Sequence, residues 1–267
     1  MEIFIETKST PCNTGTGTCP ISLIGVRMSE EIEKDKGKSM LEDLFVEIEK
    51  SHTFELANNP SEIDEFEKHC DYKLPEDLKE FYRRYKTVKL FDDEWGASYR
   101  FVFVNEIKVT GYDIYGDSAN PNDYLWPKSW FTVCDVLDGN YISVDLSSRN
   151  GNECNYIDCF HETYGTPGES KVIAKSFREL LERSLTSGRE QFYLDNDFKD
   201  YGDALEITPE TAIFRISNRN ASTTGGWMVN FYRSDKSYRK YFRDVDYGNK
   251  EKSYEVAKLY VEENRKQ

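Results

Sequence analysis

The sequence has few of the side chains and motifs on which enzyme chemistry commonly depends. Three histidines, His52, His69 and His161, occur in 267 residues, so acid–base catalysis near neutral pH has few candidate groups. The Gly-x4-Gly-Lys-Ser/Thr phosphate loop, the Gly-x-Ser-x-Gly nucleophile motif, the His-Glu-x-x-His zinc-protease motif and a His-Asn-His nuclease pattern are missing. We therefore predict a protein without catalytic activity and without a cofactor.

Long hydrophobic runs are also missing. The apolar stretch Ile21 to Val26 is too short for a signal-peptide core or a membrane span, and Met1 to Lys8 mixes apolar and acidic residues. The six cysteines are too sparse for the disulfide framework of a small secreted domain. We expect a protein without a secretory signal that resides in a reducing cytoplasm and does not contact a membrane.

Two groups of cysteines invite interpretation as a metal site. Cys154-x4-Cys159-x-His161 is one, and Cys12-x6-Cys19 would be its complement. Neither has the two-residue spacing of a zinc knuckle, and Cys154 and Cys159 fall in or beside a predicted strand, where cysteine is an ordinary core residue. We predict no metal site.

Acidic clusters occur at Asp92 to Glu94 and at Asp195 to Asp197. Carboxylates of this kind could hold a divalent cation, although acidic clusters in loops are more often simply solvated. We assign the first cluster to contact with a protein partner. The assigned residues are Asp92, Asp93, Glu94 and Trp95.

Charge is divided unevenly along the chain. Of 35 Lys/Arg and 49 Asp/Glu, 12 and 7 lie in residues 211–267, which leaves 23 and 42 for residues 1–210. The net charges of these segments are therefore +5 and −19. This division predicts two modules with different partners. The acidic module suits a basic protein, which its field would attract, although the acidic charge could equally serve only solubility.

Hydrophobic periodicity outlines the acidic module. Helical spacing begins at Leu41 and again after Ser61, and Pro75 with acidic neighbours marks a third helix start. Strands are predicted from Tyr99 to Leu146, with a hairpin turn at Asp138-Gly139, and another at Asn155 to Phe160. Ser176 then caps an amphipathic helix. We predict an α+β fold whose mixed, mainly antiparallel sheet is flanked by helices.

The basic module has its own pattern. Three short strands are predicted at Ile213 to Ser217, Trp227 to Arg233 and Ser237 to Phe242, and a helix at Glu251 to Glu263. This is a small three-stranded sheet packed on one helix. The predicted organisation is a weakly structured lead-in (1–40), a partner-binding domain (41–190), a linker (191–210) and the small domain (211–267).

The acidic module resembles the SUKH superfamily, which includes a yeast cell-wall regulator and many bacterial immunity proteins. The resemblance covers residues 60–185 and implies a scaffold that docks on proteins, among them nuclease toxins, rather than an enzyme. It is carried by Leu74, Pro75, Asp77, Leu78 and Phe81, the strand Phe131 to Val133, the Asp138-Gly139 turn, Val144 to Leu146, His161-Glu162, and Ile173, Ala174, Ser176, Phe177, Leu180 and Leu181.

The basic module resembles the plant ethylene-response-factor (apetala-type) DNA-binding domain. The matching residues are Gly226, Trp227, Val229 and Phe231, the strand from Lys236 to Lys240 with Phe242, the Tyr247-Gly248 turn, and Ala257 and Tyr260. The resemblance implies that the outer face of the sheet lies in the major groove of duplex DNA.

Strand alternation indicates which side chains would reach the DNA. If Trp227, Val229 and Phe231 pack on the helix, their neighbours in the strand face outward, and Arg215 faces outward in the first strand. Arginine and asparagine can contact bases, and any exposed cation can contact phosphate. The residues assigned to DNA contact are Arg215, Arg219, Asn230, Tyr232, Arg233, Lys236, Arg239 and Lys240.

Three functions remain open from the sequence. The leading hypothesis is a non-enzymatic, toxin-immunity-type module fused to a small DNA-binding module. The second is a transcriptional regulator whose C-terminal domain binds DNA while its N-terminal domain receives a protein signal. The third is an immunity protein whose tail only enlarges the docking surface.

Overall fold

Two antiparallel sheets organise the chain. The computed structural model describes residues 39–117, 126–137, 139–216, 225–234 and 236–266, and Met40–Gln267 forms one compact unit. A sheet flanked by helices is followed by a small three-stranded sheet, which confirms the predicted α+β class. The predicted weakly structured lead-in falls almost entirely outside the described residues.

The larger sheet is an antiparallel meander. Strands adjacent in the sheet are also adjacent in sequence, and every pair is antiparallel. Within the described ranges its strands are β1 (Thr53–Leu56), β2 (Tyr85–Leu90), β3 (Tyr99–Phe101), β4 (Trp130–Asp135), β5 (Tyr141–Asn150), β6 (Glu153–Cys159) and β7 (Val172–Ala174).

Helices cover one face of this sheet and part of the other. They are α1 (Glu42–Ser51), α2 (Ser61–Cys70), α3 (Glu76–Arg84), α4 (Thr110–Tyr115) and α5 (Phe177–Thr186), with short 3-10 turns at Val104–Glu106 and Phe192–Leu194. Their starts follow local chemistry: Pro75 precedes α3 and its acidic first turn, and the Ser176 hydroxyl accepts the Glu179 amide at 3.1 Å. Both predicted helix starts are confirmed.

The main core lies between the sheet and helices α1, α2, α3 and α5. Phe81 is at its centre, with ring centroids 4.9 Å from Phe177, 5.4 Å from Phe101 and 5.5 Å from Tyr85. A smaller cluster around Trp126 and Trp130 packs with α4 on the opposite face. Because this second cluster is smaller, part of that face is left for polar side chains.

The smaller sheet has the order β10-β9-β8. Its elements are α6 (Pro209–Ala212), β8 (Ile213–Ile216), β9 (Gly226–Arg233), β10 (Lys236–Arg243), α7 (Asp244–Tyr247) and α8 (Lys250–Asn264). Val229, Phe231 and Phe242 pack against Ala257 and Val261 of α8, and all five are buried. The three predicted strands and the covering helix are therefore present.

The predicted linker runs along the exposed edge of the larger sheet. It forms backbone hydrogen bonds with Val172 of edge strand β7. Tyr201 N donates to Val172 O at 2.8 Å, and Val172 N donates to Gly202 O at 3.0 Å. Ala204 N donates to Ser170 O at 2.8 Å. The segment therefore satisfies the backbone groups that edge strand β7 would otherwise leave unpaired.

The smaller sheet docks on the β6–β7 connection of the larger one. Tyr232 N donates to Pro167 O at 2.8 Å, and Asn230 Nδ2 donates to Thr166 Oγ1 at 3.2 Å. Gly168 has φ of +91°, and a Cβ on it would lie 1.9 Å from the Tyr232 carbonyl oxygen. Only glycine permits this close approach of the two backbones.

Candidate functional site

Three connections converge at one end of the larger sheet. The β2–β3 loop, the β4–β5 hairpin and the segment after α5 meet there, since antiparallel strands in sequence order place alternate connections at the same end. Gln191 Nε2 donates to Val136 O at 3.0 Å, and Tyr99 OH donates to Glu190 O at 3.1 Å. These bonds join the three segments into one surface.

The acidic cluster predicted to contact a partner lies in a braced turn of the β2–β3 loop. Asp93 Oδ1 accepts a hydrogen bond from the Trp95 amide at 2.8 Å. The Asp93 carboxylate also accepts hydrogen bonds from both terminal nitrogens of Arg189. These two donors, the amide first, lower the pKa of Asp93. The turn holds Trp95 in solvent, where 82% of the residue is exposed.

Further exposed apolar side chains lie at the same end of the sheet as this tryptophan turn. Leu137 approaches Gly96, with its Cδ1 3.9 Å from where a glycine Cβ would stand. Leu194 and Phe160 are exposed on neighbouring connections at the same end, as is Leu137. We call this the Trp95 surface, formed by Asp92, Asp93, Glu94, Trp95, Leu137, Phe160 and Leu194. Exposed large apolar groups on one end of a domain are a common feature of interaction sites.

The Trp95 surface carries negative charge. Residues 89–97 and 188–197 contribute six carboxylates and two cations. Both cations are already engaged, because Arg189 binds Asp93 and Lys89 Nζ lies 3.9 Å from Asp92. A basic partner would therefore meet an apolar centre within an acidic rim.

A polar pocket of about 450 Å³ opens on the second face of the sheet beside this surface. Asp135 joins the two, since its Oδ1 accepts the Leu137 amide at 3.0 Å and its Oδ2 binds Arg100 Nη2 at 3.2 Å. We call it the Asp113 pocket. Its charged and aromatic lining consists of Arg100, Glu106, Lys108, Asp113, Asp117, Asp135 and Tyr141.

A chain of buried hydroxyl groups ends at Asp113. Cys159 Sγ lies 3.0 Å from Ser143 Oγ, which lies 2.6 Å from Thr110 Oγ1. Thr132 Oγ1 contacts Thr110 Oγ1 at 3.1 Å and donates to Asp113 Oδ2 at 2.6 Å. Burial raises the pKa of Asp113. This network was not predicted from the sequence, although Thr132 and Ser143, polar residues flanked by apolar ones in predicted strands, were a usable signal.

A larger cleft of about 890 Å³ lies where the two sheets meet. Several of its charged groups are already paired: Lys171 binds Asp203, and Arg265 binds Glu262 at 2.7 Å and donates to Ile207 O at 3.2 Å. We therefore interpret this cleft as the junction between the two sheets.

The expected outward orientation of Arg215 is wrong. Arg215 pairs with Trp227 across the β8–β9 ladder, and its guanidinium carbon lies 5.1 Å from the Trp227 ring on the side covered by α8. There it binds both oxygens of Asp244, at 2.9 and 2.5 Å. The cause is the register, which sets Ile213 opposite Val229 in the core and so turns Phe214 outward.

The other residues assigned to DNA contact divide between the two faces of the smaller sheet. Arg233, opposite Lys236, lies on the helix side, as does Lys240, whose Nζ is 4.8 Å from the Tyr260 ring centroid. Arg239 lies opposite Asn230 on the outer face. Asn230 and Tyr232 take part in the docking contacts with Thr166 and Pro167. Arg219 lies outside the described residues.

The two described cysteines that were considered as metal ligands, Cys154 and Cys159, lie on opposite faces of the larger sheet. Cys154 belongs to the main core, whereas Cys159 belongs to the cluster on the opposite face of the sheet. His161 Nδ1 lies 2.9 Å from Asn140 Oδ1. Among the described residues no group of three or more His, Cys, Asp or Glu side chains is placed to hold a metal ion, and Cys12 and Cys19 fall outside them.

The described part of the chain contains no helix with the length and apolar character needed to cross a bilayer. Its four cysteines, Cys70, Cys134, Cys154 and Cys159, are free thiols, and burial raises the pKa of the last three.

Comparison with known proteins identifies the family of the part of the chain that forms the larger sheet. Residues 58–183 match the SMI1/KNR4 family (SUKH-1), which confirms the resemblance predicted for residues 60–185. The chain is also similar to immunity protein YokJ of Bacillus subtilis (strain 168), at 30% identity over 138 residues, which cover 51% of this chain and 79% of that protein. The family match ends before the smaller sheet begins. This chain belongs to the SMI1/KNR4 (SUKH-1) family.

Proposed function

We propose that this chain is an immunity-type binding protein that neutralises a basic protein toxin by covering it with the Trp95 surface. The observation that carries the proposal is Trp95 itself, 82% exposed on a turn braced by Asp93 and Arg189. The similarity to an immunity protein supports the same function. The chain acts by occlusion and not by catalysis, and the free thiols of its core support a reducing cytoplasm as its location.

The geometry of the turn suits a binding anchor. A large aromatic side chain in solvent contributes little to folding, but contributes strongly to association when a partner buries it. The bonds from Arg189 and the Trp95 amide fix the turn before binding, so little conformational entropy is lost on association. The acidic rim adds attraction for a basic toxin over about 10 Å at moderate ionic strength.

The test is the affinity of the Trp95→Ala variant for the toxin that co-purifies with the wild-type chain. We expect a loss of roughly 30-fold or more in Kd, as for the truncation of a central aromatic anchor, with a change in unfolding free energy within about 0.5 kcal/mol. Val46→Ala, which truncates another exposed apolar residue on α1, is the matched control. Equal affinity of the wild type and Trp95→Ala would refute the proposal.

DNA binding by the smaller sheet is the second candidate function. It is favoured by edge strand β10, on which Lys236, Arg239 and Lys240 are exposed and form no ion pair with the described residues. An edge strand with free cations can follow a phosphate backbone without reading bases. The division of the assigned residues between two faces favours such nonspecific contact over base readout. The same lysines have an alternative role, because lysines on an edge strand prevent aggregation with other sheets.

A further inference from the structure

The Asp113 pocket has a charge imbalance that selects the sign of its ligand. Its four carboxylates face two cations, and each cation is shared between two carboxylates. Arg100 binds Glu106 at 3.1 Å and Asp135 at 3.2 Å. Lys108 binds Asp113 at 3.2 Å and Asp117 at 2.7 Å. The remaining negative charge favours a cationic group and repels an anionic one.

The pocket is held in shape from beneath the sheet face. Both oxygens of Asp113 are positioned, one by Thr132 at the end of the buried hydroxyl chain and the other by Lys108. Thr110 and Ser143, which continue the chain, are fully buried. A satisfied buried network of this kind fixes the direction of a carboxylate before any ligand arrives.

We infer that the Asp113 pocket receives one arginine side chain of the protein partner. A guanidinium carries five donors in a planar fork that matches carboxylates, and it stacks on aromatic rings. Asp113 and Asp135 offer the carboxylates, and the half-buried Tyr141 ring stands beside them. A volume of about 450 Å³ accommodates a side chain but not a helix or strand of the partner.

The position of the pocket links it to the proposed function, on which this inference rests. Asp135 contributes Oδ2 to the pocket and Oδ1 to the Leu137 turn of the Trp95 surface. A basic protein seated on Trp95 therefore brings its side chains to the mouth of the pocket. The pocket would read one arginine, while Trp95 supplies the apolar anchor.

The experiment measures a blocked arginine, N-acetyl-arginine amide, binding to the full chain by ¹H–¹⁵N NMR. We expect saturable shifts confined to amides around Asp113, Asp135 and Tyr141, and no such shifts with N-acetyl-citrulline amide, the neutral isostere. Asp113→Asn should weaken the binding about three- to fivefold. Asp64→Asn, which removes an exposed carboxylate on α2, should leave the binding unchanged.

Three results would overturn the inference: equal shifts with the citrulline probe, equal binding of N-acetyl-lysine amide, or full binding by a folded Asp113→Asn variant. If that variant loses its dispersed spectrum, Asp135→Asn takes its place with the same expectation. The probe is measured without a toxin. Failure of the arginine site therefore leaves the Trp95→Ala test standing, and failure of toxin binding leaves the arginine measurement standing.

Discussion

Gly168→Ala should detach the smaller sheet from the larger one. Gly168 combines φ of +91° with a backbone carbonyl, that of Tyr232, 1.9 Å from the place a Cβ would occupy. A carbonyl in a β-strand cannot turn aside as a flexible side chain can, so the β6–β7 connection must move. Movement of that connection breaks the bond from Tyr232 N to Pro167 O and the bond from Asn230 to Thr166.

The expected loss has two parts. Placing alanine at a positive φ costs about 1–2 kcal/mol, and each broken hydrogen bond costs about 0.5–1.5 kcal/mol. The sum, with two hydrogen bonds broken, is a loss of about 2–5 kcal/mol in the unfolding free energy. Gly202→Ala is a matched control, because Gly202 has φ of +95° but nothing within 4 Å of its added Cβ. The control should therefore lose only the first part.

The assay is urea denaturation followed by circular dichroism, combined with limited proteolysis of the segment near residues 205–210. Gly168→Ala should unfold at lower urea than Gly202→Ala and be cleaved faster between the sheets. Equal stability and equal cleavage of the two variants would show that the contact with Tyr232 does not hold the sheets together.

Two further predictions concern the half-buried acid Asp158 and the cationic edge strand β10. Burial raises the pKa of Asp158 from 3.8 to about 6, so stability is lost as the pH rises through this range. Asp158→Asn should therefore be more stable than the wild type at pH 7 by about 3 kcal/mol, and urea melts at pH 4 should show that gain nearly gone. In gel shifts, duplex binding should weaken steeply as salt is added. At low salt, Arg239→Ala should also weaken the binding, whereas Arg215→Ala should not, because the Arg215 guanidinium is held by Asp244. Unchanged mobility of the wild type with any duplex would remove the DNA candidate.

Local sequence signals predicted the elements that have strong periodicity or a cap. Helices α3 and α5 begin at the expected Pro75 and Ser176, and the strands around Phe131 and Tyr141 lie where β-branched and aromatic residues cluster. Strands β1, β2 and β7 were not predicted. Strands β1 and β7 have four and three residues and are too short to show alternation, and β2 begins directly after helix α3, with no turn residue between them to mark its start. Their existence depends on pairing with distant segments.

Orientation was harder to predict than element type. Alternation in β8 separates Ile213 and Arg215 from Phe214 and Ile216 but does not say which pair faces the helix. Two apolar residues favoured the second pair, yet the structure places Ile213 and Arg215 on the helix side. Arg215 is tolerated there because Asp244, which precedes α8, neutralises it. A partner supplied from a distant element cannot be recognised by strand alternation.

The placement of the smaller sheet gives weight to an immunity protein with an enlarged docking surface. The β6–β7 connection that carries Thr166 and Pro167 lies at the same end of the larger sheet as the Trp95 turn, because both connections follow strands that run in the same direction. Four strand spacings separate them, roughly 19 Å, which is within the footprint of an ordinary protein interface. A toxin centred on Trp95 would then reach the smaller sheet as well, and its affinity would fall in Gly168→Ala although Trp95 is intact. If Trp95→Ala lowers the toxin affinity and Gly168→Ala does not, the basic module is not part of the toxin-binding surface.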